Sequence, residues 1–328
     1  MHPRVVTYDR FGEPAEVLQI EHREPAKLLT GQIRVRMNAR SINPSDWIPI
    51  RGAYPHRTPL PSIPGYEGVG VVEEIGPAVP HALLGQRVLP LRGEGTWQEL
   101  VAAPAQWAVA VPSSIEDDAA CQLYINPLTA WVLCAEVMAL QAKDVVIVNA
   151  GGSSFGRIFA QLSSNFGFKL IALTRSDVHT KDLLSLGAFS VVNTSDTKVY
   201  QAIMELTGGR GASAAVDCIG GDEGVALLRS VRPGGMLVSI GLLSGKPVNL
   251  ARQALGTGVN IKLFHLRNWL QTVSAEEWQG AFRAIIQLTE REQLRLMNIR
   301  GRYPLHDVVK AMHAAVSSSS GGKIVLTS

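Results

Sequence analysis

The chain has 328 residues, of which 46% are hydrophobic and 18% charged, with a formal net charge of +3, as expected of a folded protein long enough for two domains. The charge is small and dispersed, with no basic run of five, which argues against a nucleic-acid partner. No apolar stretch reaches the ~18 residues that span a bilayer, and the N-terminus lacks a signal-peptide core.

Over the first 120 residues, short β-like runs at 33–37, 68–75 and 100–101 are broken by many Pro and Gly residues, as in an irregular antiparallel barrel. From residue 145 the pattern changes. Short apolar runs alternate with helical ones, and strands are expected at 145–150, 169–174, 188–193, 214–219, 236–241 and 261–266. Six such strands make an α/β fold with a doubly wound parallel sheet, the Rossmann arrangement. Between the first two lies Gly151-Gly-Ser-Ser-Phe-Gly156, followed by a helix with Phe155, Ile158, Phe159, Leu162 and Phe166 on one stripe. A strand, a small-residue turn and a helix start form the phosphate grip of dinucleotide-binding folds. Arg175 falls where cofactor choice is made. A cationic fork there, with Thr174 beside it, suits the 2′-phosphate of NADPH rather than the ribose hydroxyls of NADH. Arg232-Pro-Gly-Gly235 reads as a turn before the fifth strand. Residues 271–328 return to the style of the first 120 and end in the strand-like run 323–327; the serine run 317–320 reads as a loop. The expected domains are 1–122 with 271–328, and 123–270. The three separated cysteines (Cys121, Cys134 and Cys218) read as buried thiols, and a reduced, cytoplasmic setting fits them.

Six short stretches, Asn43-Pro-Ser-Asp46, Arg51-Gly-Ala-Tyr-Pro55, Pro64-Gly-Tyr-Glu-Gly-Val-Gly70, Gly95-Thr-Trp97, Asn126-Pro-Leu-Thr-Ala130 and Asn149-Ala150, occur in an order and spacing that resemble the medium-chain dehydrogenase/reductase superfamily over essentially the whole chain. Within it the chain resembles the zinc-independent quinone reductases and, more narrowly, the mitochondrial-type 2-enoyl thioester reductases. The resemblance implies a GroES-like catalytic domain beside the Rossmann domain, and a homodimer joined near strand five or six.

A catalytic zinc needs three protein ligands from Cys, His and carboxylates. By the resemblance these positions are Asn43, Tyr66-Glu67 and Asn126, so neither cysteine nor histidine is present, and no metal is expected. Without a Lewis acid the substrate must activate itself, as a quinone, enone or 2-enoyl thioester does. The resemblance makes Tyr54 the proton donor, with a loop tyrosine beside Pro55 as the plainer reading. It places Asn43, Tyr66, Asn126 and Phe264 in the nicotinamide and substrate cleft. Asp46 reads as a turn cap, and His265 as a packing residue in an apolar strand. Cofactor binding falls to Thr129, Gly151, Gly152, Ser153, Ser154, Phe155, Gly156, Thr174, Arg175, Gly220, Gly241 and Lys323. In the phosphate turn the superfamily carries glycine where Ser153-Ser154 stand here; their hydroxyls could donate to a pyrophosphate. The expected function is NADPH-dependent reduction of an activated C=C bond in a small molecule. NADPH:quinone reduction is the alternative from the same site, and a non-catalytic NADPH-binding structural or RNA-binding role is the alternative of another class.

Overall fold

The computed structural model describes residues 2–317 and 321–328, so positions 318–320 of the serine run lie outside the described residues. The chain divides into two compact units. One comprises Met1–Ile125, Ser274–Arg291 and Leu296–Ser328; the other comprises Asn126–Val273 and Glu292–Arg295.

The second unit is built on six strands: β1 (Val145–Val148), β2 (Lys169–Thr174), β3 (Ser190–Asn193), β4 (Ala212–Asp217), β5 (Val231–Ser239) and β6 (Asn260–Leu263). Their order is β3-β2-β1-β4-β5-β6, every neighbour parallel. The order reverses between β1 and β4, the point at which doubly wound sheets bind ligands outside their carboxyl ends. Two side chains pin that point. Asn149 donates to Asp217 Oδ1 at 2.7 Å and accepts from the Cys218 N–H at 2.7 Å, while Asp217 Oδ1 also accepts from Ile219 and Gly220. The expected crossover helix is present at Ser154–Phe166. It buries Phe155, Ile158, Phe159 and Leu162, and its half-buried Phe166 packs on Trp131.

Two details of this sheet depart from the sequence reading. Strand β5 begins at Val231, and Arg232-Pro-Gly-Gly235 is a bulge within it, because the pairing with β4 jumps from Ala212↔Val231 to Ala214↔Met236. Strand β6 stops at Leu263, which leaves His265 exposed at the start of the short helix Leu266–Trp269 rather than packed in an apolar strand.

The first unit holds a seven-stranded sheet. Its central strand Gln32–Ser41 pairs antiparallel with Val69–Ile75, Leu100–Pro104 and Lys323–Thr327, so the C-terminal strand closes on the N-terminal sheet. The segment after 271 differs from its β-like expectation and is largely helical, with Ala275–Glu290 and Val308–Val316. The signal was present: Ser274 and Glu277 form a reciprocal capping box, and Trp278, Ala281, Phe282, Ile285 and Ile286 follow at helical spacing and are buried. All three cysteines are buried and free. No described helix is long and apolar enough to cross a membrane.

Candidate active site

In the first unit three strands deliver a set of buried polar side chains to one place. Gln32–Ser41 ends on Ser41 and runs into Asn43, which opens the short helix Pro44–Trp47. Pro44 at the first helical position needs no N–H partner there. Glu67 leads into Val69–Ile75, and Lys323 starts the closing strand, whose Ile324 carbonyl accepts from the Ile42 N–H at 3.0 Å.

Glu67 is 1% exposed. Its Oε1 accepts from Asn43 Nδ2 at 2.6 Å and from the Ser41 hydroxyl, and its Oε2 accepts from the Ile125 N–H at 2.8 Å. Asn43 Oδ1 in turn accepts from the Lys323 ammonium. The amide thus bridges a buried cation and a buried anion, its oxygen toward the former and its nitrogen toward the latter. Asp46 completes the cluster, with Oδ2 accepting from the Asn43 N–H at 2.6 Å and Oδ1 from the Tyr66 N–H at 3.1 Å. Burial pushes the Asp46 carboxyl up to about 7, the Glu67 charge adding to it and the two N–H donors and Lys323 opposing. Burial likewise lowers the Lys323 ammonium, against the pull of Glu67 and Asp46.

Tyr66 presents an exposed side chain, while Tyr124 is buried and its phenol pushed up by burial and by Glu67. Tyr54 is half-buried in the turn after Pro44–Trp47, with the Arg57 guanidinium carbon 3.6 Å above its ring. Its carbonyl holds the turn by accepting from the Arg57 N–H and the Thr58 hydroxyl.

In the second unit the phosphate turn is as tight as its residues imply. A Cβ on Gly156 would lie 2.3 Å from the Gly151 carbonyl oxygen, and one on Gly152 would lie 2.3 Å from the His179 ring. Ala150 takes φ +52° to enter the turn. Ser153 caps the helix, its hydroxyl oxygen accepting from the Gly156 N–H at 3.2 Å. The N–H groups of Ser154 and Phe155 have no acceptor within the helix and so suit an anion. Thr174 is buried and donates to the Ser176 carbonyl, whereas Arg175 is exposed, its carbonyl accepting from Ser195. Gly220 (φ +73°) starts the helix after β4, and a Cβ on Gly241 would lie 2.7 Å from the Cys218 carbonyl oxygen. Asn126 and Thr129 are half-buried on the helix Ile125–Val132, and Phe264 is buried just past β6.

Two family models match this chain: a zinc-binding dehydrogenase model over residues 155–287 and an alcohol dehydrogenase GroES-like domain model over 30–113. The mitochondrial enoyl-[acyl-carrier-protein] reductase of Rattus norvegicus is 30% identical over 99% of this chain and 89% of its own. The chain belongs to the medium-chain dehydrogenase/reductase superfamily. Among solved structures, a Bacillus thuringiensis protein provisionally described as an NADPH:quinone reductase is 51% identical, with a TM-score of 0.98 over 100% of this chain and 99% of its own. The Escherichia coli quinone oxidoreductase, solved in complex with NADPH, is 25% identical, with a TM-score of 0.91 over 99% of this chain and 100% of its own. As a member of this superfamily the protein is an oxidoreductase.

The zinc named in the first family description does not fit these residues. Among the described residues no group of three or more His, Cys, Asp or Glu side chains could hold a metal ion. An ammonium already shares the Asn43 amide with Glu67, and a divalent cation beside it would be repelled.

The Asp46 carboxyl gives the folded state a pH signature. It holds its proton more tightly folded than unfolded, so its contribution to stability is present below its ordinary value of 3.8 and is lost as pH rises through about 7. Relative to Asp46→Asn, the unaltered protein should lose stability from pH 5 to pH 8, by up to about 1.4 kcal/mol per pH unit. Urea unfolding of both proteins across that range checks it; a constant difference would contradict the assignment.

Proposed function

We propose that the protein is an NADPH-dependent, zinc-independent reductase that adds hydride to an activated C=C bond, in a 2-enoyl thioester or enone. The observation that carries this reading is the Lys323–Asn43–Glu67 chain of hydrogen bonds. With Lys323 there instead of a Lewis acid, the acceptor has to carry its own activation as a conjugated carbonyl. The enoyl reductase relatives favour the thioester, and the quinone oxidoreductase structures favour a quinone as the second reading.

The second unit fits a dinucleotide. The Gly151–Gly156 turn admits a pyrophosphate against the Ser154 and Phe155 N–H groups, and Arg175 is the cation for a 2′-phosphate. Thr129, Gly220, Gly241 and Phe264 line the remainder of the cofactor path. Bound NADPH supplies the hydride. In the substrate, hydride addition at the β-carbon breaks the C=C π bond and its pair moves toward the carbonyl oxygen as an enolate, and the Tyr54 phenol delivers a proton to the α-carbon, water then restoring the phenol. Asn43 is held in one orientation by Lys323 and Glu67 and offers no free rotation, so with Tyr66 it orients the substrate, and Asn126 is assigned to the nicotinamide. Lys323, assigned to the cofactor by resemblance, is buried here with its ammonium on Asn43, and we give it this positioning role. Catalysis is assigned to residues 1–122 with 271–328, and cofactor binding to 123–270. The open edge of β6, where Leu263 is 67% exposed, is the surface for a homodimer. The reduced thiols accord with a cytoplasmic enzyme.

Arg175→Ala should raise the KM for NADPH by about 10- to 100-fold, the value of a charge-assisted contact of roughly 1.5–3 kcal/mol, and leave that for NADH nearly unchanged. Equal use of the two cofactors by the unaltered protein would refute this. Tyr54→Phe should reduce turnover of an enoyl thioester by roughly 10²- to 10⁴-fold and of a quinone much less, since reduced quinone oxygens take protons from water. Unaltered enoyl thioester turnover would make Tyr54 a turn residue only.

A further inference from the structure

Arg92 combines a constrained backbone with an exposed, stacked cationic side chain. It stands at φ +60°, in the left-handed region that disfavours residues with a Cβ. The loop forces this on it. Leu91 is 1% exposed, and a Cβ on Gly93 would lie 2.4 Å from the Ala102 carbonyl oxygen. Beyond them Glu94 donates to the Ala102 carbonyl, Thr96 to Gly65 and Trp97 to Pro64. A glycine at 92 would meet the same geometry without strain.

The side chain is equally particular. The Arg92 guanidinium carbon lies 3.8 Å from the centre of the half-buried Trp107 ring and 5.9 Å from that of Trp278. These two tryptophans meet edge to face, and Trp278 also packs on Tyr124 and Phe282, which forms an aromatic wall. Burial and the Glu67 charge raise the Tyr124 phenol on that wall, and the Arg92 charge opposes them. Tyr124 is also the residue before Ile125, whose N–H reaches Glu67. Arg92 remains exposed, and among the described residues it makes no ion pair with an acidic side chain. A guanidinium stacked on an aromatic face keeps its N–H edge for a planar anion. Strain retained at such a position points to function.

We propose that Arg92 is a substrate-binding residue that receives an anionic oxygen group, a carboxylate or a phosphate, carried by the molecule to be reduced. This rests on the reductase reading for the identity of that molecule, but not for the binding itself. The two sources are a free α,β-unsaturated acid, whose carboxylate adjoins the alkene, and a coenzyme A thioester, whose phosphates lie far from it.

The experiment compares the unaltered protein with Arg92→Gln and Arg92→Lys. Binding of crotonate and of neutral crotonamide is read from tryptophan fluorescence, and kcat/KM is measured with NADPH on crotonate, crotonyl-coenzyme A, its neutral N-acetylcysteamine thioester and a neutral enone. Arg92→Gln should weaken the anionic ligand by about 10- to 100-fold, chiefly in KM, and change the neutral ones less than about two-fold. Arg92→Lys should recover part of the loss. A deficit on crotonate assigns the carboxylate; one confined to crotonyl-coenzyme A assigns the phosphates. Arg92→Gly, relieved of the φ +60° strain, should melt no lower than the unaltered protein and show the same selective loss, which separates binding from folding. Anionic and neutral ligands affected alike, or crotonate bound no better than crotonamide with no preference for crotonyl-coenzyme A, would overturn the proposal. Should no alkene be reduced while crotonate still binds through Arg92, the reductase reading fails and the anion site stands.

Discussion

The chain of hydrogen bonds from Lys323 through Asn43 to Glu67 is the constraint on which the first unit depends. Burying a lysine and two carboxylates is costly unless each charge is satisfied. Here one amide serves both signs, Oδ1 facing the ammonium and Nδ2 facing the carboxylate. Ser41, the Ile125 N–H and the two N–H donors on Asp46 take up the remaining lone pairs. The partners come from positions 41–46, 66–67, 125 and 323, so the cluster also ties the C-terminal strand to the N-terminal sheet.

The second unit meets a different constraint, which is how to bring chain segments close together in the Gly151–Gly156 turn. It does so by leaving side chains out. Gly152 and Gly156 lie against a ring and backbone that a Cβ would strike, and a Cβ on Gly151 would be tight against Ala172 and Leu173. The Asn149–Asp217 pair fixes the ends of β1 and β4 at the reversal of strand order. Ser153 and Ser154 in place of glycine are accommodated because Ser153 works as a helix cap, a role for which its hydroxyl is well suited.

The nucleotide sheet was legible in the sequence because parallel strands covered on both faces are short apolar runs, and all six fall close to their expected positions. The errors arise where tertiary pairing overrides local signals. Arg232-Pro-Gly-Gly235 carries every mark of a turn, yet flanking pairs to β4 hold it as a bulge. The helix Ala275–Glu290 is signalled by its capping box and apolar stripe, although the segment it belongs to closes on the β-rich first unit. Asn43, Tyr66 and Asn126 drew notice as replacements for metal ligands, but nothing local joins Asn43 to Lys323, 280 residues away. Tyr124 and Arg92 carried no motif. Arg92 is visible only once a positive φ and a ring beneath its guanidinium are seen.

The protein is an oxidoreductase whose first unit holds a buried network of fixed charges, which we propose does the work a metal would do. The most direct measurement is the metal content of the purified enzyme, with activity and melting temperature followed before and after exhaustive chelation. The account predicts less than about one-tenth equivalent of zinc and unchanged turnover and stability, because cysteine and histidine ligands are lacking and the buried ammonium on Asn43 would repel a divalent cation. One tightly held equivalent of zinc, with activity lost on its removal, would contradict it.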